Sequence, residues 1–480
     1  MSLIQPQLKY PVWGLALLAM AQFIIAADYN IVYVALPSIG TALGFSASHL
    51  QWVISAYALA FGGFLLLGGR LGDVFGRRNA FVTALLLYAG SSWIGGLSTG
   101  PDMLIAARAV QGLGGALLFP TTMALISTYF AEGKERNRAL AVMGAAGASG
   151  GASGALLGGL LTSAFGWHWT FFVLVPVAAV VIVGAYFLLP KDSPRAGKVA
   201  IDLPGAVTAT LGLVLLVSAC VEGPELGWGS STVLELLVGS LVLLFAFFLI
   251  ESKTAKPLMP LRLLRHSSLP TGMLICALFA SAFGAQYFLL TTYLQDIRHL
   301  APGMAGLAFL PFALSIVVGT RVGGPLVNRL GLRTALLVGL VLGIAGLLVI
   351  AFNLSADGSY ATRLLPGFLL DGLGQGITWT LMWIAATSGI AAEDRGIASG
   401  MASTAQQSGA ALGLALLVGI STAGLPAGAG VSAADSADAI ISGIRSAFFA
   451  AAVLASLAAM VALTRIPPRQ PVKPVTTSAA

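Results

Sequence analysis

Fourteen apolar runs follow one another along this chain, and each is long enough to cross a membrane as a helix. No water satisfies backbone groups inside a bilayer, so runs of this length form helices. The sequence therefore predicts an all-α polytopic membrane protein. The runs lie at 12–36, 49–71, 79–98, 102–130, 138–164, 168–190, 203–222, 231–250, 269–294, 302–324, 333–353, 361–389, 396–424 and 441–464.

The composition excludes a water-soluble globule. Only 9% of the 480 residues are charged, 57% are hydrophobic, and the mean hydropathy is +0.92. Soluble domains carry about 25% charged residues. The net charge of +7 would suggest nucleic acid in a soluble protein, but here the basic residues concentrate in particular loops. Cys220 and Cys276 fall inside apolar runs, which argues against a disulfide framework or a metal site.

The distribution of basic residues predicts the orientation. If both termini are cytoplasmic, 21 of the 25 Lys and Arg residues lie on the inner side, as the positive-inside rule requires. Outer segments hold only Arg298, Arg363 and Arg445, and Arg108 lies within a run. A missed or extra helix would invert every later loop and spoil this pattern. We therefore expect an even number of helices, with both termini on the inner side.

An internal duplication divides the chain. GRLGDVFGRR at 69–78 returns as GPLVNRLGLR at 324–333, and AVQGLGG at 109–115 returns as LLDGLGQ at 369–375. Such repeats are typical of secondary transporters, whose halves move around a central site. We predict an N-terminal six-helix bundle at 1–190, a linker with two inserted helices at 191–266, a C-terminal six-helix bundle at 267–465 and a cytoplasmic tail at 466–480.

Several motifs carry a family resemblance. The order G-x-L-G-D-x-x-G-R-R at 69–78 resembles the signature of the major facilitator superfamily between its second and third helices. AADYNIVYVALP at 26–37 resembles the first-helix motif of the fourteen-helix drug:proton antiporter branch, and the segment from Leu104 to Ala116 resembles the fourth-helix motif. The resemblance implies two six-helix bundles plus two inserted helices, and efflux of drugs, antibiotics or toxic organic cations in exchange for protons. Together with the lack of organelle signals, it also implies a location in the bacterial inner or cytoplasmic membrane.

The chain also departs from that pattern. The fifth run has Gly150, Gly154, Gly158 and Gly159 of the antiporter motif, but Ala155 where relatives normally have proline. A proton-coupled symporter or uniporter of a small metabolite therefore stays open as an alternative.

Enzyme and ATP-driven functions find no support in the sequence. The sequence has neither the His/Glu spacing of a zinc site nor a phosphate-binding loop. We therefore expect no enzymatic activity and no cofactor, only the proton motive force. The expected partners are protons, a lipophilic small molecule and membrane lipids, with no nucleic acid, and we expect a monomer.

Ionisable residues inside the runs are the candidates for proton coupling, since charge within a membrane is costly. The clear ones are Asp28, Arg108 and Asp371, whereas Glu222 and Glu235 lie near the ends of their runs, where they can reach water. With a rise of about 1.5 Å per residue, Asp28 and Arg108 lie at similar depths and should share a polar network. A structural pair with no part in transport is the alternative. Asp371 takes the repeat position of Gln111 and either binds substrate or protons, or joins two helices by hydrogen bonds.

Two further groups complete the predicted site. By the resemblance, Asp73 and Arg77 meet Glu393 and Asp394 and lock the halves in an outward-open state; a solvated loop cluster is the alternative. The other candidates for conformational gating are Gly69, Gly76, Arg78, Gly150, Gly154, Gly158 and Gly159. A mostly apolar substrate cavity is predicted, although aromatic residues in such helices often only pack or sit at the membrane interface. Its candidates are Asn30, Gln111, Trp52, Tyr57, Tyr287, Tyr293, Trp379, Met382 and Trp383.

Overall fold

The computed structural model describes residues 10–46, 49–131, 134–190, 202–254, 257–266, 268–391, 394–423 and 433–468. Across these ranges the protein is helical and has no strand. The long helices are α1 Pro11–Leu43, α2 Trp52–Phe75, α3 Arg77–Gly96, α4 Pro101–Tyr129, α5 Lys134–Phe165, α6 Trp169–Leu188, α7 Leu203–Leu226, α8 Ser231–Lys253, α9 Leu269–Ile297, α10 Pro302–Leu330, α11 Leu332–Asn353, α12 Leu365–Thr387 (preceded by a turn, Tyr360–Arg363), α13 Arg395–Thr422 and α14 Ala433–Arg465. A short helix, Leu261–His266, precedes α9.

The long helices agree in number and order with the predicted apolar runs. Eleven of them are long and apolar enough to cross a membrane by length and composition. The other three are α3, α12 and α13, which carry more polar residues and glycine. The all-α polytopic fold is therefore confirmed, and the fourteen-helix count is consistent with the structure.

Some helix boundaries and breaks differ from the prediction. α1 continues across Pro37 to Leu43 and ends at Gly44, which has a φ of 72°. Membrane helices tolerate proline because neighbouring groups satisfy the freed carbonyl. α9 is interrupted at Gly284 and finishes in a π-helical turn, Tyr293–Ile297, and α10 is interrupted at Phe309. Hydropathy alone predicts none of these interruptions.

The repeated loop motif forms the same tight turn twice. Gly76, between α2 and α3, has φ 88° and ψ 144°, and Gly331, between α10 and α11, has φ 80° and ψ 162°. This backbone conformation favours glycine, which has no Cβ to clash. We call the end of the molecule that carries these turns the motif face, and the opposite end the far face.

The helices pack with the symmetry of the repeat. α2 packs against α13 and α5 packs against α10, and the repeat relates these two seams because it pairs α2 with α10 and α5 with α13. α7 lies against both α2 and α13, where Leu59, Val217 and Ala415 share one apolar cluster, and α8 packs on α7. The inserted pair therefore covers the α2–α13 seam.

The two halves of the repeat are joined on the far face. Gln295 Nε2 of α9 donates to the carbonyl oxygen of Val34 on α1 over 2.7 Å. Tyr33 Oη of α1 donates to the Gly284 carbonyl over 3.2 Å. The Gly303 amide of α10 donates to Ser163 Oγ at the end of α5 over 2.8 Å. These contacts hold α1 against α9 and α5 against α10.

Candidate functional site

A buried ion pair links α1 to α4. Arg108 Nη1 lies 2.9 Å from Asp28 Oδ2, and both side chains are almost fully shielded from solvent. Arg108 also donates through Nε to the Val53 carbonyl over 2.9 Å, and its guanidinium lies 4.4 Å from the centre of the Tyr57 ring. The structure thus brings together the two residues that were expected to share a network.

Gln111 completes this network. Its Nε2 donates to Asp28 Oδ1 over 3.1 Å and to Ser92 Oγ over 2.8 Å, while its Oε1 accepts from Arg108 Nη1 over 2.5 Å. Both carboxylate oxygens of Asp28 therefore have donors, and the charges of Asp28 and Arg108 cancel. A buried pair of this kind persists because its remaining polar atoms are also satisfied.

A second buried carboxylate lies between α9 and α12. Asp371 Oδ2 accepts from Gln286 Nε2 and, over 3.1 Å, from Gln375 Nε2. Gln375 Nε2 also donates to Gln286 Oε1 over 2.7 Å. Asp371 Oδ1 has no hydrogen-bond partner, and no lysine or arginine in the described part of the chain pairs with this carboxylate. A negative charge here would be uncompensated.

The two clusters are related by the repeat with their residues exchanged. Ala-Asp-Tyr at 27–29 on α1 matches Ala-Gln-Tyr at 285–287 on α9, and Gln111 on α4 matches Asp371 on α12. Each half thus joins one aspartate to one glutamine, but on opposite helices. Arg108 has Phe368 at its repeat position. Only the N-terminal cluster therefore contains its own cation.

A row of tyrosines runs between the two clusters. Tyr57 lies 6.2 Å from Tyr29, Tyr29 lies 6.1 Å from Tyr33, and Tyr33 stacks on Tyr287 at 5.7 Å, all between ring centroids. Tyr287 in turn contacts Phe312 at 5.5 Å. The stacked pair crosses from α1 to α9. The row therefore connects the halves next to both buried carboxylates.

Other predicted cavity residues lie on α1 and α12, the helices that carry the two buried aspartates. Asn30 Nδ2 donates to the Gly151 carbonyl of α5 over 2.8 Å. Trp379 and Trp383 of α12 lie 6.0 Å apart, and Phe279 of α9 lies 6.2 Å from Trp379. Trp379 is 42% exposed. These rings follow Asp371 along α12 toward the motif face and offer an apolar lining.

Three predicted cavity residues have packing positions instead. Trp52, the first residue of α2, packs at the cluster formed by α2, α7 and α13. Tyr293 is buried and donates to the Ser355 carbonyl over 2.7 Å. Met382 is fully buried in the apolar core. None of the three belongs to the tyrosine row.

The predicted gating residues of the first loop motif lie at the motif face. Arg77 Nη1 donates to the Ala124 carbonyl of α4 over 3.2 Å. Arg78 Nη2 donates to the Tyr186 carbonyl of α6 over 2.9 Å, and its guanidinium lies 5.1 Å from that tyrosine ring. Gly69 lies beside Pro120 of α4. These contacts hold the first loop motif within the N-terminal half.

Asp394 has a different partner from the one predicted for it. Arg262 binds both carboxylate oxygens of Asp394, at 2.7 and 3.0 Å, because the short helix before α9 lies beside the start of α13. Asp394 therefore does not pair with Arg77. Glu393 lies outside the described residues, and Asp73 is described in its backbone alone. A contact between Asp73 or Arg77 and Glu393 stays a prediction.

The glycines of the fifth helix serve close packing. A Cβ at Gly150, Gly154 or Gly158 would lie 2.6, 2.6 or 2.1 Å from carbonyl oxygens of α1. A Cβ at Gly159 would lie 2.3 Å from the Pro302 carbonyl of α10. Small residues let membrane helices approach this closely. The motif thus joins α5 to α1 and, at the far face, to α10.

Comparison with known proteins decides the family. The profile of the Major Facilitator Superfamily matches residues 18–414. The chain belongs to the Major Facilitator Superfamily. It is therefore a transporter rather than an enzyme, and the resemblance carried by its motifs is confirmed.

Similar proteins in this superfamily have names linked to antibiotics. The puromycin resistance protein pur8 of Streptomyces alboniger is 40% identical over 413 residues, which is 85% of this chain and 82% of that protein. The cephamycin export protein CmcT of Amycolatopsis lactamdurans is 39% identical over 421 residues, 86% of each. The lincomycin resistance protein of Streptomyces lincolnensis is 34% identical over 414 residues, 85% of this chain and 83% of that protein.

Solved structures share the fold. A peptide transporter, POT, in complex with sulfate superposes with a TM-score of 0.67 at 18% identity over 94% of each chain. A mutant form of the nucleoside transporter NupG gives a TM-score of 0.65 at 12% identity over 95% of this chain and 99% of that one. These similarities establish the fold alone.

Proposed function

We propose that this transporter exports lipophilic small molecules, such as antibiotics, in exchange for protons by alternating access. The relatives named for puromycin resistance, cephamycin export and lincomycin resistance support export of such compounds. The basic loops support a cytoplasmic motif face with both termini on that side. Protons then enter from the far face while the drug leaves through it.

The unequal Asp–Gln pairs carry the proposal of proton coupling. Arg108 balances the charge of Asp28, whereas Asp371 has two amide donors and no cation among the described residues. A bound proton neutralises Asp371 while it is enclosed between α9 and α12. Movement of the halves that admits water to this cluster releases the proton. Asp28 takes part when the movement changes its distance from Arg108.

The tyrosine row and the tryptophans supply the substrate surface in this proposal. Tyr29, Tyr287, Trp379 and Trp383 are partly exposed and offer flat apolar faces. Asn30 adds an amide, and small-molecule sites commonly combine an apolar lining with a few such polar groups. A lipophilic molecule with one or two polar groups fits this chemistry.

Transport in proteoliposomes under an imposed pH gradient tests the proposal, with puromycin as the probe. We expect Asp371→Asn and Asp28→Asn to abolish proton-driven puromycin movement while the protein still inserts and binds puromycin. Asp357→Asn, at an exposed loop position, is the matched control and should behave like the wild type. Wild-type transport in both aspartate variants would refute the coupling.

Symport is the second candidate, and Ala155 is the observation that favours it. The carbonyl oxygen of Ala155 would lie 2.8 Å from a Cβ at Gly306, which places Ala155 where α5 passes α10. Antiporters normally have a proline at this position. The same proteoliposomes separate the two functions. Puromycin moving against the proton flux supports export, and puromycin moving with the protons supports symport.

A further inference from the structure

The two seams between the halves differ toward the motif face. In the α2–α13 seam, Thr404 Oγ1 donates to the Gly62 carbonyl over 2.9 Å. One turn farther along α2, Leu66 Cδ2 lies 2.4 Å from where a Cβ of Gly400 would stand. This seam is packed well toward the motif face. In the α5–α10 seam, the glycine contacts between the helices lie at Gly159 and Gly306, in its far-face part.

The α10 side of the α5–α10 seam becomes more exposed toward the motif face. Residues three or four apart share one face of a helix. Along the face that continues from Gly306, Ala313 is buried, Val317 is partly buried and Arg321 is exposed. A Cβ at Gly324 would have no neighbour within 4 Å. This face of α10 is therefore less covered toward the motif face than at its far-face end.

The α5 side shows the same gradient. Ala155 is buried, Ala148 is partly buried, and Ala145 and Ala141 are exposed. A Cβ at Gly144 would have no neighbour within 4 Å. The opposite face of α5 stays packed on α1 through Gly150 and its neighbours. The seam is thus open on the motif-face side, with a strip of alanines along one wall.

The repeat places arginines at the open seam where the packed seam has apolar residues. The loop motif aligns Arg321 with Leu66, and SGGASG at 149–154 aligns with SGAALG at 408–413, which pairs Arg138 with Ile397. Leu66 and Ile397 both pack against one apolar cluster. Arg138 and Arg321 are exposed, and neither forms a hydrogen bond or ion pair with the described residues.

We propose that the open part of the α5–α10 seam binds an anionic phospholipid from the leaflet at the motif face. Arg138 and Arg321 bind the lipid phosphate, and an acyl chain lies along Ala141, Ala145 and Ala148. The charge pattern supports this occupant, because arginine pairs with phosphate in a bidentate manner and basic residues beside a bilayer attract anionic lipids. The lipid keeps α5 and α10 apart and so stabilises the state with this seam open.

This site is independent of the proposed export function, because it requires neither a drug nor a proton. Purified full-length protein in nanodiscs tests it. Native mass spectrometry counts the phosphatidylglycerol and phosphatidylcholine molecules that stay bound. We expect wild-type protein to retain phosphatidylglycerol in preference to phosphatidylcholine.

The decisive variant carries Arg138→Ile and Arg321→Leu, the residues that the repeat has in the packed seam. It should retain phosphatidylglycerol about 25-fold less strongly, a factor of about five for each arginine. Arg265→Leu, an exposed arginine in the short helix before α9, is the control and should retain it like the wild type. Equal retention by the double variant, or equal retention of both lipids by the wild type, would overturn the proposal.

A second measurement keeps both arginines and so tests the site even if the double variant folds poorly. A photoreactive phenylalanine analogue at residue 145 should cross-link to phosphatidylglycerol in otherwise wild-type protein. The same analogue at residue 404, the repeat counterpart in the packed seam, should cross-link much less. Equal cross-linking at the two positions would also refute the site.

Discussion

The two buried aspartates differ in the group that balances their charge, and this difference can be tested at Arg108. Arg108→Met leaves the Asp28 carboxylate buried without its cation. Breaking a buried pair in this way costs about 3–5 kcal/mol of stability. We expect the thermal midpoint in detergent to fall sharply, and Asp28→Asn added to Arg108→Met to restore most of it. Arg363→Met, at an exposed position, is the control. Equal thermal midpoints for Arg108→Met and Arg363→Met would show that Arg108 does not stabilise the buried carboxylate.

The exchanged Asp–Gln pair predicts a reciprocal rescue in the C-terminal half. Gln286→Asp places a second carboxylate against Asp371, where no cation in the described chain balances either charge. We expect a loss of about 3 kcal/mol or more, as for other unpaired buried charges. Adding Asp371→Gln recreates the order found on α1 and α4 and should recover the thermal midpoint. Failure of the exchange to recover stability would mean that the two clusters are not equivalent.

The sequence predicted part of these clusters. Matched depth along two helices was enough to place Asp28 beside Arg108. Gln286 was missed, although Ala-Gln-Tyr at 285–287 repeats Ala-Asp-Tyr at 27–29 and could have revealed it. Ser92 gave no signal, because its contact depends on helix rotation that apolar runs do not encode. Asp371 and Gln375 are four residues apart on one helix, so their spacing could have revealed their contact. The packing of Trp52 against α7 and α13 depends on helix rotation in the same way as the contact of Ser92.

At the scale of single elements, α5 offers a matched pair of glycines. A Cβ at Gly158 would lie 2.1 Å from the Ile31 carbonyl of α1, whereas one at Gly144 would have no neighbour within 4 Å. We expect Gly158→Leu to destabilise the protein by about 1–3 kcal/mol or more, the usual cost of overpacking. Gly144→Leu on the same helix should be tolerated. The yield of monodisperse protein and its thermal midpoint are measured for both variants. Similar losses in the two variants would show that α5 does not pack on α1 through Gly158.

Helix positions could be predicted more fully than helix shapes. Hydropathy gave the order of the helices and most of their limits, because lipid demands long apolar segments. It could not give the continuation of α1 through Pro37 or the break in α9 at Gly284. Both depend on how neighbouring helices satisfy the backbone, which is a property of the assembled bundle.

At the scale of the whole molecule, the inserted helices make the transporter asymmetric. At the far face, His49 Nε2 on the short turn before α2 lies 3.1 Å from Glu222 Oε1 on α7. At the motif face, Arg70 of α2 donates to the Pro257 carbonyl just after α8, and Arg262 binds Asp394 at the start of α13. The inserted pair and the segment after it are thus fastened to both halves along the α2–α13 seam.

This fastening predicts unequal movement of the two seams. Spin labels on Leu140 and Val322 report the distance across the α5–α10 seam, and labels on Val74 and Gly396 report it across the α2–α13 seam. The native cysteines are first replaced, and the distances are measured by double electron–electron resonance spectroscopy. When the pH is lowered or puromycin is added, the first distance should change more than the second. The physical reason is that α7 and the Arg262–Asp394 pair restrain only the second seam. Arg262→Ala removes that pair and should widen the distance distribution across the α2–α13 seam while leaving that across the α5–α10 seam unchanged. Equal changes across both seams in the wild type would show that the inserted helices do not restrain the movement.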